Sequence, residues 1–187
     1  MPALIRPFRG ILPKIHPDAF LAENAVVIGD VEIGAGSSIW YGCVLRGDVN
    51  KIRVGRNSNL QDGTVVHVNH DRSGQDYRES GGGMPTVIGD NVTVGHMALI
   101  HACHLESGSF VGMRAVVMDQ AVVESGAMVA AGALVSPGKR VLSGQLWAGA
   151  PAKYRRDLTQ EELDFFPYIA GNYATLGESY RGETEDR

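Results

Sequence analysis

Aliphatic residues recur every six positions along most of this chain. Val27, Ile33, Ile39 and Leu45 open the pattern. Val54, Leu60 and Val66 continue it in a second register, then Ile88, Val94 and Ile100 in a third. The longest unbroken run is Leu105, Val111, Val117, Val123, Val129, Val135, Val141 and Trp147. An amphipathic helix wants apolar positions three and four apart, and a half-buried strand wants alternation, so neither accounts for a period of six. A small residue or glycine often follows the aliphatic, as in Ile33-Gly34, Val54-Gly55 and Val94-Gly95. This is the signature of a hexapeptide β-helix. The pattern therefore predicts a mainly β fold, with each aliphatic pointing inward and stacking on its equivalent one coil away, at the usual ~4.8 Å. No single coil buries its own apolar residue, so the coils stabilise one another in sequence.

Two interruptions stand out. The register slips between Leu45 and Val54, a local irregularity in the wall. Between Val66 and Ile88 a polar stretch with Gly81-Gly82-Gly83 breaks the repeat, which predicts a protruding loop over residues 68–85. Loops of this length in compact domains are usually functional or disordered, and this one starts right after His67, as a lid beside a site would. After Gly149-Ala-Pro151 the repeat ends, so residues 1–153 read as the β-helix and 154–187 as a C-terminal helical segment. Thr159 and Glu162 form a capping box ahead of an amphipathic helix carrying Leu163, Phe165 and Phe166 against the prism wall. Pro167 is expected to break or kink it, with a second helical piece running to Tyr180.

Three histidines occupy fixed points of this repeat. His67 follows Val66, His101 follows Ile100, and His96 lies two places after Val94. Three imidazoles with one open position define a catalytic rather than a structural zinc site. His67 and His101 share a hexad position and are 34 residues apart; an excursion of ~16 residues leaves about one 18-residue coil, which would stack them on one face. His96 holds a different position and should face another way, so a second copy of the chain, in a threefold ring, is the natural route to a complete site. His16, His70 and His104 do not share these positions, although His70 can still approach from the loop.

The remaining chemistry narrows the class. A chain of 187 residues suits one domain with a sizeable core. A formal charge of −4 argues against nucleic acid or an anionic membrane as partner. The opening segment from Met1 to Phe8 lacks a signal-peptide pattern, no stretch would span a bilayer, and Cys43 and Cys103 read as two reduced thiols. The expected location is cytoplasmic.

Arg46-Gly-Asp48, Asn59-x-Gln61-Asp62, His67 and His96-x-x-x-x-His101 fall in the order and spacing of one family. From about Phe8 to the C-terminal helix, the sequence resembles the gamma-class carbonic anhydrases and their short hexapeptide-repeat relatives. That resemblance implies a left-handed parallel β-helix, a homotrimer, and zinc or ferrous iron at each subunit interface. It implies that His67 and His101 come from one chain and His96 from its neighbour. Arg46, Asp48 and Asp62 resemble interface ion-pair and hydrogen-bond residues, and Gln61, beside Asn59, resembles the residue that orients a metal-bound hydroxide. Tyr173 resembles a tyrosine that the C-terminal helix brings near the site. The implied reaction is reversible hydration of CO2 to bicarbonate.

One departure matters: Val49 follows Asp48 where the archetypal enzyme has a glutamate, and none of Asp71, Asp76 and Glu79 aligns surely with the loop glutamate. Fast turnover is thereby in doubt. Two other readings remain open on the residues alone. A hexapeptide acyltransferase would use a single histidine as general base and bind coenzyme A, leaving the other two histidines without a use. A non-catalytic, metal-binding trimer or assembly protein is favoured by Val49.

Overall fold

The computed structural model describes residues 3–185, with side chains as far as Gly182. Short parallel strands wind into a β-solenoid whose interior is three columns of stacked aliphatics. Leu21, Ile39, Leu60, Val94, Val111, Val129 and Trp147 form the first column. Val27, Leu45, Val66, Ile100, Val117 and Val135 form the second. Ile15, Ile33, Val54, Ile88, Leu105, Val123 and Val141 form the third. Successive six-residue steps thus land on successive faces, and the eight-position run from Leu105 to Trp147 cycles through all three. From Val27 onward these residues, apart from the half-buried Trp147, are nearly or fully buried, so the core is a rod along the axis.

The slip before Val54 has a structural cause. Strands Val26–Ile33 and Val44–Val54 pair across two faces, but Gly29 aligns with Gly47 while Val31 aligns with Ile52. The later coil therefore carries three extra residues at the corner, within the stretch Asp48, Val49, Asn50 and Lys51. Gly47 makes the corner possible, because a Cβ there would lie 2.6 Å from the Asp30 carbonyl oxygen.

Residues 68–85 do leave the wall, but as an anchored excursion. Val68 is still in the core, and Asn69 and Met84 then pair backbone to backbone at 2.9 and 3.0 Å. A one-turn helix, α1 (Tyr77–Ser80), follows, with Asp76 as N-cap and Gly81 left-handed at its end. Tyr77 donates from its hydroxyl to Asp30 Oδ2 at 2.5 Å, and Arg53 pairs with the other oxygen at 2.8 Å.

The C-terminal segment differs from expectation in three ways. The helix does not follow directly on residue 153: a strand, Lys153–Asp157, first turns back antiparallel on Gln145–Ala148. The helix α2 (Gln160–Glu185) then runs through Pro167 without a break. Loss of one backbone hydrogen bond at Pro167 costs on the order of 3 kcal/mol, and the buried Phe166 and Ala170 on either side of it hold both halves to the wall. The third difference is Phe165, which is 44% exposed. Adjacent helical residues point about 100° apart, so Phe166 faces inward, stacking on Phe110 at 5.2 Å, while Phe165 meets the same ring from the helix edge at 6.3 Å. The capping box forms, with Glu162 N–H donating to Thr159 Oγ1 at 3.2 Å and Thr159 N–H to Glu162 Oε2 at 2.9 Å. The helix descends the outside of the first face from Phe110 to Phe20, where Gly177 allows close approach to the Cβ atoms of Phe20 and Ser38. The helix continues to Glu185, and Asp186 and Arg187 lie outside the described residues. Among the described residues no helix is long and apolar enough to cross a membrane.

Candidate metal centre

His67 and His101 end two neighbouring parallel strands and are direct register partners, Cα to Cα. Their rings are half-exposed at the edge of the second face, with His67 Nδ1 3.2 Å from His101 Nε2. The opposite nitrogen of each ring is taken. His67 Nε2 lies 3.0 Å from Asp48 Oδ1, and His101 Nδ1 lies 2.6 Å from Asp119 Oδ1. A carboxylate only accepts, so both of those nitrogens donate, which leaves two lone pairs facing each other across 3.2 Å. A proton on one of the two rings, or a metal ion between them, satisfies such a pair. Ligands about 2.0–2.1 Å from a tetrahedral ion sit about 3.3–3.4 Å apart, so the pair has close to the spacing of two imidazoles on one metal.

Each carboxylate is itself held. Asp48, at the start of the widened corner, also pairs with Arg46. Burial alone would raise its pKa, but the hydrogen bonds from His67 and Arg46 win and keep it below the usual carboxylate range. Asp119 shows the same balance, with burial opposed by His101 and by Asn69, whose amide donates at 2.6 Å. Burial pushes His67 below the ordinary histidine range, against its bond to Asp48. A neutral imidazole is the ligand form.

His96 belongs to a different corner. Its Nδ1 lies 2.8 Å from Asp62 Oδ2, one coil below. Four residues, Met97 to Ile100, separate His96 from His101, and the stretch from Ala98 to His101 alone covers roughly 10 Å of extended chain. Among the described residues, no three His, Cys, Asp or Glu side chains of one chain converge as a metal would require. Near the His96 corner, Gln61 donates to Asn59 Oδ1 at 3.1 Å, and Asn59 to Thr93 Oγ1 at 2.9 Å, all three nearly buried. Tyr173 packs edge-on against Trp40 at 5.4 Å, and burial, helped by the charge of Asp62, raises its phenol.

The expected residues thus form two groups. Arg46, Asp48, His67 and His101 make one, while Asn59, Gln61, Asp62, His96 and Tyr173 surround the other corner. Asp119 and Asn69 are additions that the motifs do not contain. Asp119 stands 18 residues, one coil, beyond His101, and counting one coil on from each histidine would have found it.

A family profile described as "Bacterial transferase hexapeptide (six repeats)" matches residues 13–47. The chain is 53% identical over 171 residues to "Gamma carbonic anhydrase 2, mitochondrial" of Arabidopsis thaliana, covering 91% of this chain and 59% of that one. It spans 59–64% of the length of three such plant relatives. It is 46% identical to "Probable carbonic anhydrase" of Methanocaldococcus jannaschii, covering 88% of this chain and 96% of that one. A crystal structure of a hexapeptide transferase family protein from Anaplasma phagocytophilum superposes with a TM-score of 0.85 at 48% identity, covering 95% of this chain and 98% of that one. With this identity over nearly the whole of a full-length relative, the chain belongs to the gamma-class carbonic anhydrase family.

Proposed function

We propose that the protein is a metal-dependent carbonic anhydrase, which hydrates CO2 reversibly to bicarbonate, and that His67, His101 and a neighbouring chain's His96 hold the ion. The observation that carries this reading is the pair of facing ring nitrogens 3.2 Å apart, each locked by a carboxylate on its far side. The names of the relatives support the activity. All three histidines have the same partner type, a carboxylate on one nitrogen, as metal-bound imidazoles usually do. Zinc or ferrous iron suits such a nitrogen set, and when bound it supplies the Lewis acidity that makes water a nucleophile near neutral pH.

A homotrimer is supported by the outer side of the second face. Val44, Val65, Leu99, Val116 and Leu134 form a hydrogen-bonded register of outward aliphatics. Val65 and Leu99 are exposed, as are Met97 and Met113 on the adjoining corner. This stripe has His67 and His101 along one border and His96 along the other, so packing three copies in a ring covers it and joins the two borders. The cytoplasm remains the proposed location, with the free, buried Cys43 and Cys103 in keeping with reduced thiols.

The chain's own residues then act as follows. Asp48, Asp119 and Asp62 fix the histidine tautomers and orientations. Asn59, itself held by Thr93, takes one amide hydrogen of Gln61, which turns the Gln61 carbonyl to accept from the reacting water. Tyr173, whose phenol is kept protonated by burial and by the charge of Asp62, packs on Trp40 beside this group. The oxygen of water bonds to the carbon of CO2, bicarbonate leaves, and one proton must reach solvent.

Metal analysis followed by stopped-flow CO2 hydration tests this. About one metal per chain and a chelator-sensitive rate are expected. A metal-free protein from metal-replete expression would overturn the metal reading, and fully loaded protein without hydration would overturn the enzyme. The acyltransferase reading predicts instead a CoA-thioester activity indifferent to chelator.

A further inference from the structure

The proposed reaction releases a proton, and Val49 cannot carry it. Beside Val49 lies a cleft of about 240 Å³ between the N-terminal segment and the excursion. Its inner wall includes Gly47 and Asp48, and Asp48 is the carboxylate bonded to His67. Its rim includes the exposed His70. We infer that His70 is the proton carrier, taking the proton from water in this cleft and handing it to buffer. This rests on the hydration reading above.

The position of His70 is built. Asn69, just before it, pairs its backbone with Met84, accepts from the Asn50 amide at 3.3 Å, and donates from its side chain to Asp119 at 2.6 Å. The far side of the cleft is fixed by the Tyr77–Asp30–Arg53 bonds. His70 therefore stands three residues from His67 on a backbone tied, through Asn69, to Asp119, the carboxylate that holds His101.

The other groups facing the cleft are committed. Asp76 holds Arg78 by two bonds at 2.9 and 2.5 Å, which keeps its carboxyl far below the usual range. Asp71 is lowered by hydrogen bonds from Ser80 and Ser73. Burial, with the bond to Asp30, pushes the Tyr77 phenol well up. Arg9 and Arg78 are permanent cations, and Asp48 is engaged by Arg46 and His67. Imidazole is the one side chain that ordinarily changes charge between pH 5 and 8. In each turnover it gains a proton on one ring nitrogen and loses one to a buffer base, so the centre loses one proton, the buffer gains one, and His70 returns neutral.

The test uses metal-loaded full-length His70→Ala beside the unchanged protein. Metal content and the Co2+ absorption spectrum should match, which shows that the centre is intact. In weak buffer kcat should fall about 100-fold, the lower end of general acid–base effects, with kcat/KM much less affected. A methylated imidazole buffer should restore kcat. An unaltered kcat in weak buffer would overturn the carrier role alone, as would a loss that buffer does not rescue. Absence of hydration by the loaded, unchanged protein would overturn the hydration reading and this one with it.

Discussion

If each ion is shared between chains, two individually dead variants should repair one another. His67→Ala removes a ligand from one border of the apolar stripe, and His96→Ala removes one from the other. In either homotrimer every site lacks a ligand. In a mixed ring, one interface sets a chain with intact His67 and His101 against a neighbour with intact His96. That holds whether the ring contains one or two copies of each variant. Random assembly at equal expression makes about three quarters of the rings mixed, each with one complete site of three. Metal content should therefore return to about one quarter of the original value, from a background near zero in each variant alone. Co-expression with two affinity tags, isolation of doubly tagged trimers and metal analysis would read this directly, with about one third of an ion per chain in the purified mixture. A control sharpens the result: His67→Ala mixed with His101→Ala should recover nothing, because both ligands come from the same chain at each site. Verified mixed trimers without metal would refute the shared site, and recovery in the control would refute the assignment of His67 and His101 to one chain.

Four further outcomes follow from the geometry. Asp119→Ala should weaken metal binding about 10- to 100-fold by freeing the His101 ring, measured by competition with a chromophoric chelator; unchanged affinity would make Asp119 a bystander. Val49→Glu places a carboxylate in the same cleft as His70 and should raise kcat severalfold in weak buffer and little in strong buffer, with no response meaning that proton release is not limiting. Phe166→Ala should cost about 3 kcal/mol and lower the melting temperature by roughly 6–12 °C, because the ring is buried on Phe110. The Arg156 pair and the Thr159 N–H hold the Glu162 carboxyl down at about 2. A depressed acid stabilises the fold above its unfolded pKa and loses that contribution as pH falls. Glu162→Gln should thus melt lower than the unchanged protein at pH 7, with the difference shrinking from about pH 4.5 toward pH 2; a pH-independent difference would point to packing.

Much of this was legible because a solenoid makes sequence spacing equal to spatial spacing. Once six residues mean one face and 18 mean one coil, the alignment of His67 with His101 reduces to subtracting the excursion from 34. The separate orientation of His96 follows from its different place in the hexad. The capping box was equally readable, since it depends on residues three apart. Features outside the repeat were harder. Propensity argued for a broken helix at Pro167, but the decision lay with burial of Phe166 and Ala170 against a wall that local sequence does not describe. The strand Lys153–Asp157 pairs antiparallel and has no hexad to announce it.

The slip between Leu45 and Val54 shows where the periodic reading stopped short. Taken as a pattern defect, it seemed a flaw in the wall. Counted against the preceding coil, it is three residues of added reach at one corner, within the stretch Asp48, Val49, Asn50 and Lys51. That corner opens with Asp48, which binds Nε2 of His67, and its Asn50 amide reaches the Asn69 and Gly82 carbonyls of the excursion. On the other side, Asp119 comes from the next coil at the ordinary spacing. The two histidines of one chain are therefore held from opposite directions, His67 from the coil before it and His101 from the coil after it. The added residues also tie the corner to the excursion, so the two interruptions of the repeat meet beside the same pair of histidines.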